Sequence, residues 1–234
     1  GCVHEILQGE AKIKYLDESI VKLEHWQLPG AESRSKYIVG LAYDCYQNPS
    51  KDRQSHYLGR ELVWTGRPKS GIKELKRHVE MNRWPAEKAQ SCIFIGDAYG
   101  QLNQPEDQIM WYAKAFMVDS TRREALIKTA RFYQRNDNKL AALAYAIASL
   151  EVPYTPYYAN DSRHYTTEPH EIIYWASGWM GDIPKAQTHL LKALSYQPFN
   201  QDYLRDLRFY FHLPKFSICM LTLKRPKVWK RWLD

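Results

Sequence analysis

Cysteine and long apolar runs are both scarce in this chain of 234 residues. Its four cysteines are scattered and form no Cys-x-x-Cys pair, which excludes a cysteine-based zinc cluster and favours a reducing compartment. No apolar run approaches the roughly 18 residues that a membrane-spanning helix requires, so we expect no membrane span. The sequence shows no secretory signal pattern either. Together these absences predict a cytoplasmic protein.

Metal-binding patterns are also lacking among the histidines. The eight histidines do not cluster, and His164 and His170, six positions apart, are poorly spaced as ligands of one metal ion. We expect Cys45 and Cys92 to be core residues. The sequence therefore predicts that this chain holds no cofactor by itself.

Positive charge is concentrated at the carboxyl end. Residues 215–234 carry +5 of the net charge of +7, which leaves +2 for the remaining residues. A basic tail can bind nucleic acid or phosphate groups, but it can equally be a solvated tail. Because the rest of the chain has little net charge, we do not expect nucleic acid to be the partner. A nucleic-acid binder remains a third hypothesis, behind the two given below.

A unit that recurs four times is the most informative pattern present. In three copies a small residue, Gly59, Gly96 or Ala130, precedes an aromatic residue or leucine by three positions, and a helical stretch follows. A weaker fourth copy has Tyr174 at the small position and Ser177 three positions later, and the steps between copies are 37, 34 and 44 residues. Periods near 34 residues are typical of stacked helical hairpins, each of which buries its apolar face only against a neighbour.

This pattern resembles the tetratricopeptide repeat over residues 52–200. The resemblance is clearest in the second copy and in the back half of the fourth, at Gly96, Tyr99, Tyr112, Ala115, Ala186, Leu190, Ala193 and Pro198. Small residues let the two helices of a hairpin approach closely, and the aromatic residue fills the gap beside them. His78, Gln108 and Ser149 stand where alanine is usual. We therefore expect a degenerate and irregular array.

The predicted fold is mainly α, an α-α superhelix of tetratricopeptide-like solenoid type, with a short β-hairpin-like segment at the amino terminus. Residues 1–30 are predicted to be strand-rich, residues 31–213 to form the helical repeat domain, and residues 214–234 to be a basic tail. The helical domain begins with a helix at 33–46 and ends with one at 200–211. Four hairpins are predicted at 52–83, 86–119, 122–151 and 167–200, and an insertion is predicted at 152–169.

Both ends of the chain resemble family-2 glycosyltransferases. The close of such a catalytic domain is resembled by Val3 to Glu5, Gly9, Tyr15 with Leu16, and Ile20 to His25. The stretch from Phe216 to Pro226 looks like the first strand and nucleotide loop of another, matching at Thr222, Arg225 and Pro226 but not at Leu221, Leu223 or Lys224. The resemblance implies that the chain is an internal piece of a longer polypeptide.

The glycosyltransferase resemblance also implies roles for single residues. Thr222 and Arg225 would contact a nucleotide, and His4 would contact a divalent metal, Mn or Mg, in the parent enzyme. Such enzymes need a carboxylate pair on the metal, and no Asp-x-Asp occurs in this sequence. We therefore expect this chain not to be catalytic alone. The alternatives are that His4 is an edge-strand histidine without a ligand role, and that Thr222 and Arg225 belong to a solvated basic tail.

The first helix of each hairpin lines the concave surface of a tetratricopeptide-like array. The positions that this register predicts to bind a partner are His56, Arg60, Trp64, Asp97, Gln101, Arg131, Arg135, Trp175 and Trp179. Arginine beside tryptophan suits an acidic or aromatic peptide, or a carbohydrate stacked on the indole. Alternatively, the tryptophans are buried wedges between helices.

The leading hypothesis is thus a non-catalytic protein- or acceptor-binding repeat module. The alternative is a glycosyltransferase in the full-length protein, which would transfer a sugar from a nucleotide-sugar donor. The partner would be a protein or peptide, a glycan acceptor, or a second copy of the chain, because exposed apolar ends are common in arrays without caps.

Overall fold

A computed structural model describes residues 31–211, with side chains from residue 34. All regular elements within these residues are helices: α1 Ala31–Gln47, α2 Asp52–Trp64, α3 Pro68–Met81, α4 Pro85–Gln101, α5 Pro105–Val118, α6 Arg123–Arg135, α7 Lys139–Glu151, α8 Ser162–Tyr165, α9 Thr167–Trp179, α10 Ile183–Tyr196 and α11 Gln201–Phe211. The predicted helical hairpins are therefore present. The predicted strands fall in residues 1–30, outside the described residues, and so does the tail at 214–234.

The segment 152–169, predicted as an insertion, contains the four-residue helix α8, and α9 begins at Thr167, the first residue of the predicted fourth hairpin. Asp161 caps α8, since its side chain accepts a hydrogen bond from the backbone N–H of Arg163 at 2.9 Å. A proline at position 169 is compatible with the start of α9 at Thr167, because the first turn of a helix needs no N–H donor there.

The chain divides into two compact units, with the boundary between Trp111 and Tyr112 inside α5. In the first unit, α1 packs on α2 through Ile38, Leu41 and Cys45 on one side and Leu58 and Leu62 on the other. The packing removes these five side chains from water, and such burial is the main source of stability for a helix of this length.

The hairpin α2–α3 depends on two glycines twelve positions apart. A Cβ placed on Gly59 would lie 2.5 Å from Cγ of Leu75, and one on Gly71 would lie 3.0 Å from the backbone oxygen of Gly59. The two helices are therefore nearly in backbone contact, which only glycine permits at these positions. This confirms the reason given for small residues in the repeat pattern.

The second unit uses alanine where the first uses glycine. Ala130 of α6 and Ala142 and Ala146 of α7 are buried together with Ile172 and Ile173 of α9. A separate cluster joins α10 to α11 through Leu190, Ala193, Leu194, Tyr203 and Leu207. Small residues again allow close helix packing, and β-branched isoleucines fill the remaining space.

All four hairpin turns have the same backbone form. The residue in the left-handed region is Gly66, Asn103, Asp137 or Gly181, with φ of 76°, 54°, 55° and 81°. In each turn the next N–H donates to the carbonyl five positions earlier, as from Arg67 to Leu62 at 2.8 Å and from Asp182 to Ser177 at 2.9 Å. This is the Schellman motif, and its positions recur with the steps of the repeat.

The two kinds of glycine predict different costs on substitution. Gly71→Ala should destabilise the fold by about 2 kcal/mol, because the helices must move apart. Gly66→Ala should cost about 1 kcal/mol, since no described atom lies within 4 Å of its Cβ and only the left-handed backbone is strained. Urea unfolding measures both, with Ser70→Ala as an exposed control on α3. A Gly71→Ala protein more stable than the parent, as helix propensity alone predicts, would contradict the packing.

Candidate functional site

Three side chains of the first unit form an arginine–tryptophan cluster: Arg34, Arg60 and Trp64. Arg60 and Trp64 lie one turn apart on α2, and Arg34 reaches them from α1. The guanidinium carbons of Arg34 and Arg60 lie 4.3 Å and 4.7 Å from the centre of the Trp64 ring, within the range of cation–π attraction. The indole remains 43% exposed, so the cluster faces solvent.

A buried carboxylate holds this cluster in place. Glu61 is only 3% exposed, yet it accepts hydrogen bonds from both arginines. Arg60 donates from Nη2 at 2.7 Å and from Nε at 3.1 Å, whereas Arg34 donates from Nη1 at 3.3 Å and 3.4 Å. The bonds to Arg60 are therefore the stronger ones, because charge-assisted hydrogen bonds weaken as they lengthen.

The predicted binding residues of α4 lie beside this cluster. Gln101 is exposed, and its Nε2 donates to the backbone oxygen of Val63 at 3.2 Å, which links the carboxyl ends of α4 and α2. Phe94 meets Trp64 edge to face, with 5.6 Å between ring centres. Asp97 is half-buried on the same helix. The surface therefore combines two guanidinium cations, one open indole, the side-chain amide of Gln101 and the half-buried carboxylate of Asp97.

His56, also predicted to bind a partner, is 1% exposed and belongs to a buried network. Its Nδ1 lies 2.7 Å from Oγ of Ser91, and the same Oγ lies 2.8 Å from Nδ1 of His78. Nε2 of His78 is 3.6 Å from the carboxylate of Glu87. The network explains why a histidine stands at position 78, where the repeat usually has alanine.

The proton arrangement in the network follows from its charges. The carboxylate of Glu87 favours a proton on the near nitrogen of His78, Nε2. Nδ1 of His78 then accepts from the hydroxyl of Ser91, and that oxygen accepts from Nδ1–H of His56. Burial lowers the pKa of His56 from 6.5 to about 3, with the neighbouring His78 contributing to the fall. His56 is therefore neutral at physiological pH.

Acid should weaken the first unit through His56. Its pKa is lower in the folded chain than in the unfolded one, so the unfolded chain binds more protons below pH 6.5. Stability should fall as pH drops from 6.5 towards 3, by about 2 kcal/mol at pH 5.

Urea unfolding at a series of pH values tests this through His56→Gln, whose amide can still donate to Ser91. The variant should show a flatter dependence on pH than the parent. Both proteins keep His170, whose pKa burial lowers to about 4 with a further contribution from His189, so its effect cancels in the comparison. Identical pH profiles would show that His56 does not titrate as described.

In the second unit, Arg131 is engaged by neighbouring side chains. Its Nε donates to Glu168 at 2.6 Å, its Nη1 donates to Gln134 at 2.8 Å, and its Nη2 donates to Glu171. Glu171 also accepts from the hydroxyl of Tyr203. The guanidinium predicted to bind a partner thus links α6 to α9.

The other predicted residues of the second unit differ in exposure. Arg135 is exposed at the end of α6. Trp175 is partly buried and packs against the cluster of Ala130 and Ile173, as expected of a wedge between helices. Trp179 is 70% exposed, and Nζ of Lys139 lies 5.7 Å from the centre of its ring. The second unit therefore offers an open indole at Trp179, accompanied by a lysine.

The sequence analysis missed several residues that shape these surfaces. Arg34 was overlooked because α1 precedes the first repeat, and Glu61 because a carboxylate beside Arg60 in sequence looks solvated. It also missed three tyrosine–carboxylate pairs: Tyr165–Glu124, Tyr174–Asp206 and Tyr203–Glu171. Burial raises the pKa of Tyr165 to about 12, with the Glu124 carboxylate adding to the rise. These groups are far apart in the sequence and come together only because α6, α8, α9 and α11 pack against one another.

Other predicted site residues lie outside the described residues, namely His4, Thr222 and Arg225. Between residues 31 and 211, no group of three or more His, Cys, Asp or Glu side chains is placed to hold a metal ion. No helix in that part of the chain is long and apolar enough to cross a membrane.

Comparison with solved structures shows which fold this is. MamA aligns over 74% of this chain and 93% of its own length, with a TM-score of 0.57 and 16% identity. YrrB, described as a tetratricopeptide-repeat protein with an unusual peptide-binding site, aligns over 75% of this chain and 84% of its own, with a TM-score of 0.52 and 14% identity. The chain has a tetratricopeptide-like fold.

A thermophilic tetratricopeptide-repeat protein of Thermus thermophilus is similar to the same extent. It aligns over 78% of this chain and 92% of its own length, with a TM-score of 0.54 and 16% identity. No protein-family model and no curated protein matches the sequence. At such identities the likeness establishes the fold alone. The tetratricopeptide-like hairpins inferred from the sequence are thereby confirmed.

Removing Arg131 should leave two partly buried carboxylates facing each other. Arg131→Met is therefore expected to destabilise the second unit by about 2 kcal/mol at pH 7. Thermal unfolding at pH 7 checks this, with Arg135→Met as an exposed control on the same helix. Equal effects of the two substitutions would show that Arg131 is not an internal counterion.

Proposed function

We propose that this chain is a non-catalytic, protein-binding repeat module. Its ligand is a partner segment that carries acidic and aromatic side chains, and the arginine–tryptophan cluster of the first unit binds it. The observation that supports this most is the pair of guanidinium groups within 5 Å of a half-open indole. A carboxylate would accept from the arginines, while an aromatic ring would pack on the exposed edge of Trp64.

The fold supports a peptide as the ligand. Helical hairpin arrays present the side chains of their first helices to extended or helical segments of partners. Among the similar folds, YrrB is described as having a peptide-binding site. Arg60 and Trp64 lie on α2 and Gln101 lies on α4, and both are first helices of hairpins.

A glycan acceptor fits the cluster less well than a peptide. Sugars stack on an open aromatic face, and both guanidinium groups lie over the ring of Trp64. Trp179 presents a more exposed indole, and the Lys139 ammonium lies farther from its ring than the guanidinium groups lie from that of Trp64. A glycan is therefore the second choice, and Trp179 is the residue on which it would stack.

The parent glycosyltransferase stays a prediction. It rests on the resemblance of residues 1–30 and 214–234, which include His4, Thr222 and Arg225. The parent enzyme would also hold a divalent metal. The coding sequence upstream should then encode an Asp-x-Asp-bearing catalytic domain. A cytoplasmic location and a homodimer are likewise proposals, and sedimentation of the purified chain would test the second.

Selection from a displayed random-peptide library tests the binding proposal. Peptides selected on the chain should be rich in Asp or Glu and in aromatic residues. Their Kd should rise about tenfold in Trp64→Ala and in Arg60→Met, because each loses one of the paired contacts. Binding should also weaken with salt, as expected of charge pairing near the surface.

The matched control is Tyr46→Ala, which removes an aromatic side chain that is 81% exposed on α1. It should leave the Kd unchanged. Selected peptides without acidic residues, or peptides that bind Trp64→Ala and Arg60→Met as tightly as the parent, would contradict the proposed surface.

A further inference from the structure

A buried guanidinium at the start of α6 is incompletely paired by its neighbours. Arg122 directly precedes α6 and is only 1% exposed. Its Nη2 donates to Oε1 of Glu124 at 2.9 Å. Its Nε and Nη1 are shut off from solvent, and neither has a hydrogen-bond partner among the described residues. Because a guanidinium carries five N–H donors, most of the hydrogen-bonding capacity of Arg122 is unused by the protein.

The groups around Arg122 do not supply the acceptors that its Nε and Nη1 need. The second carboxylate oxygen of Glu124, Oε2, accepts from the hydroxyl of Tyr165 at 3.1 Å. The ring of Tyr157 covers the guanidinium, with 4.2 Å between Cζ of Arg122 and the ring centre. This contact stabilises the cation through the π face of the ring. A charged donor that is buried without an acceptor is costly, so we expect an acceptor from outside these residues.

The surroundings of Arg122 favour an anion as that acceptor. The next residue, Arg123, donates from Nε to the backbone oxygen of Val152 at 3.1 Å and brings a second positive charge to the start of α6. The amino terminus of α6 has no side-chain cap, and the amino end of a helix carries a positive partial charge. A guanidinium also binds an anion more strongly than it binds a neutral acceptor such as water. This combination suits a phosphate or sulfate group.

The segment that covers Arg122 is irregular, which offers an anion a route to the guanidinium. Residues 152–161 lie between α7 and α8 and belong to neither helix. Tyr157 is half-buried in this segment, and its backbone oxygen accepts from the N–H of Asn160 at 3.1 Å. A movement of this turn would uncover the guanidinium and would leave α6 in place.

We propose that Arg122 and the first turn of α6 form a binding site for one phosphate or sulfate ion, which the segment 152–161 covers. Nε and Nη1 of Arg122 donate to the ion, Glu124 holds the guanidinium in position, and Tyr157 closes over it. The site belongs to the second unit and uses no residue of the arginine–tryptophan cluster. It is therefore independent of the proposed function.

Thermal unfolding of the full chain in sodium phosphate and in sodium chloride, at equal ionic strength and pH, tests this site. Relative to chloride, about 10 mM phosphate should raise the unfolding midpoint by about 4 °C, as expected for a ligand with a Kd of about 1 mM. The shift should saturate as the phosphate concentration rises, because a single site becomes filled.

Substitutions assign the shift to the site. Arg122→Met removes the donors, and Arg122→Lys keeps the positive charge but not the planar fork, so both should lose the shift. Arg135→Met is the matched control, since it removes an exposed arginine from the same helix, and it should keep the full shift. Glu124→Gln removes the carboxylate that shares the guanidinium, so its shift should be larger than that of the parent. Circular dichroism checks that each variant is folded.

Each outcome supports or overturns the proposal. Equal midpoints in phosphate and chloride would show that water completes the pairing of Arg122, and the proposal would be wrong. It would also be wrong if a folded Arg122 variant kept the phosphate shift, because the ion would then bind elsewhere. If neither substitution of Arg122 gives a folded protein, Glu124→Gln decides. A larger shift than in the parent supports the site, and an equal or smaller one rejects it.

Discussion

The close approach of α2 and α3 at two glycines is the constraint on which the first unit depends. A Cβ on Gly71 would lie 3.0 Å from the backbone oxygen of Gly59, and one on Gly59 would lie 2.5 Å from Cγ of Leu75, so a side chain at either position would displace its neighbours in the other helix. The contact fixes the angle and the distance of the hairpin, and thereby the side of α2 that faces away from α3. Arg60 and Trp64 lie on α2 beyond this contact, so the position of the arginine–tryptophan cluster depends on the close packing of α2 and α3 at the two glycines.

The fourth hairpin lacks the small residue that the other three copies have in their first helix. Its equivalent position holds Tyr174, a large residue, opposite Ala186. The hydroxyl of Tyr174 donates to Asp206 of α11 at 3.0 Å, and its ring meets Tyr203 edge to face. The side chain of Tyr174 thus packs against the next helix, α11, and does not fill the hairpin. This accounts for the weak match of the fourth copy to the repeat pattern.

The sequence predicts the helices well because two independent signals agree. The period of small residues locates the hairpins, and Gly66, Asn103, Asp137 and Gly181 mark where each first helix ends. The partial burial of Trp175 agrees with the alternative that the tryptophans are wedges between helices. The engagement of Arg131 could not be foreseen, since a repeat register gives the direction of a side chain but not its neighbours. The buried histidine network could not be predicted for the same reason, because His56 and Ser91 are 35 positions apart in the sequence.

The four turns carry a consequence for how such an array survives sequence change. What they share is a left-handed backbone position and two hydrogen bonds between main-chain groups, neither of which requires one particular side chain. Glycine, asparagine and aspartate all satisfy the requirement here. Substitutions among these residue types can therefore occur at the turns without unfolding a hairpin, and the same architecture can be formed by sequences that share little identity, as this chain and MamA do at 16%.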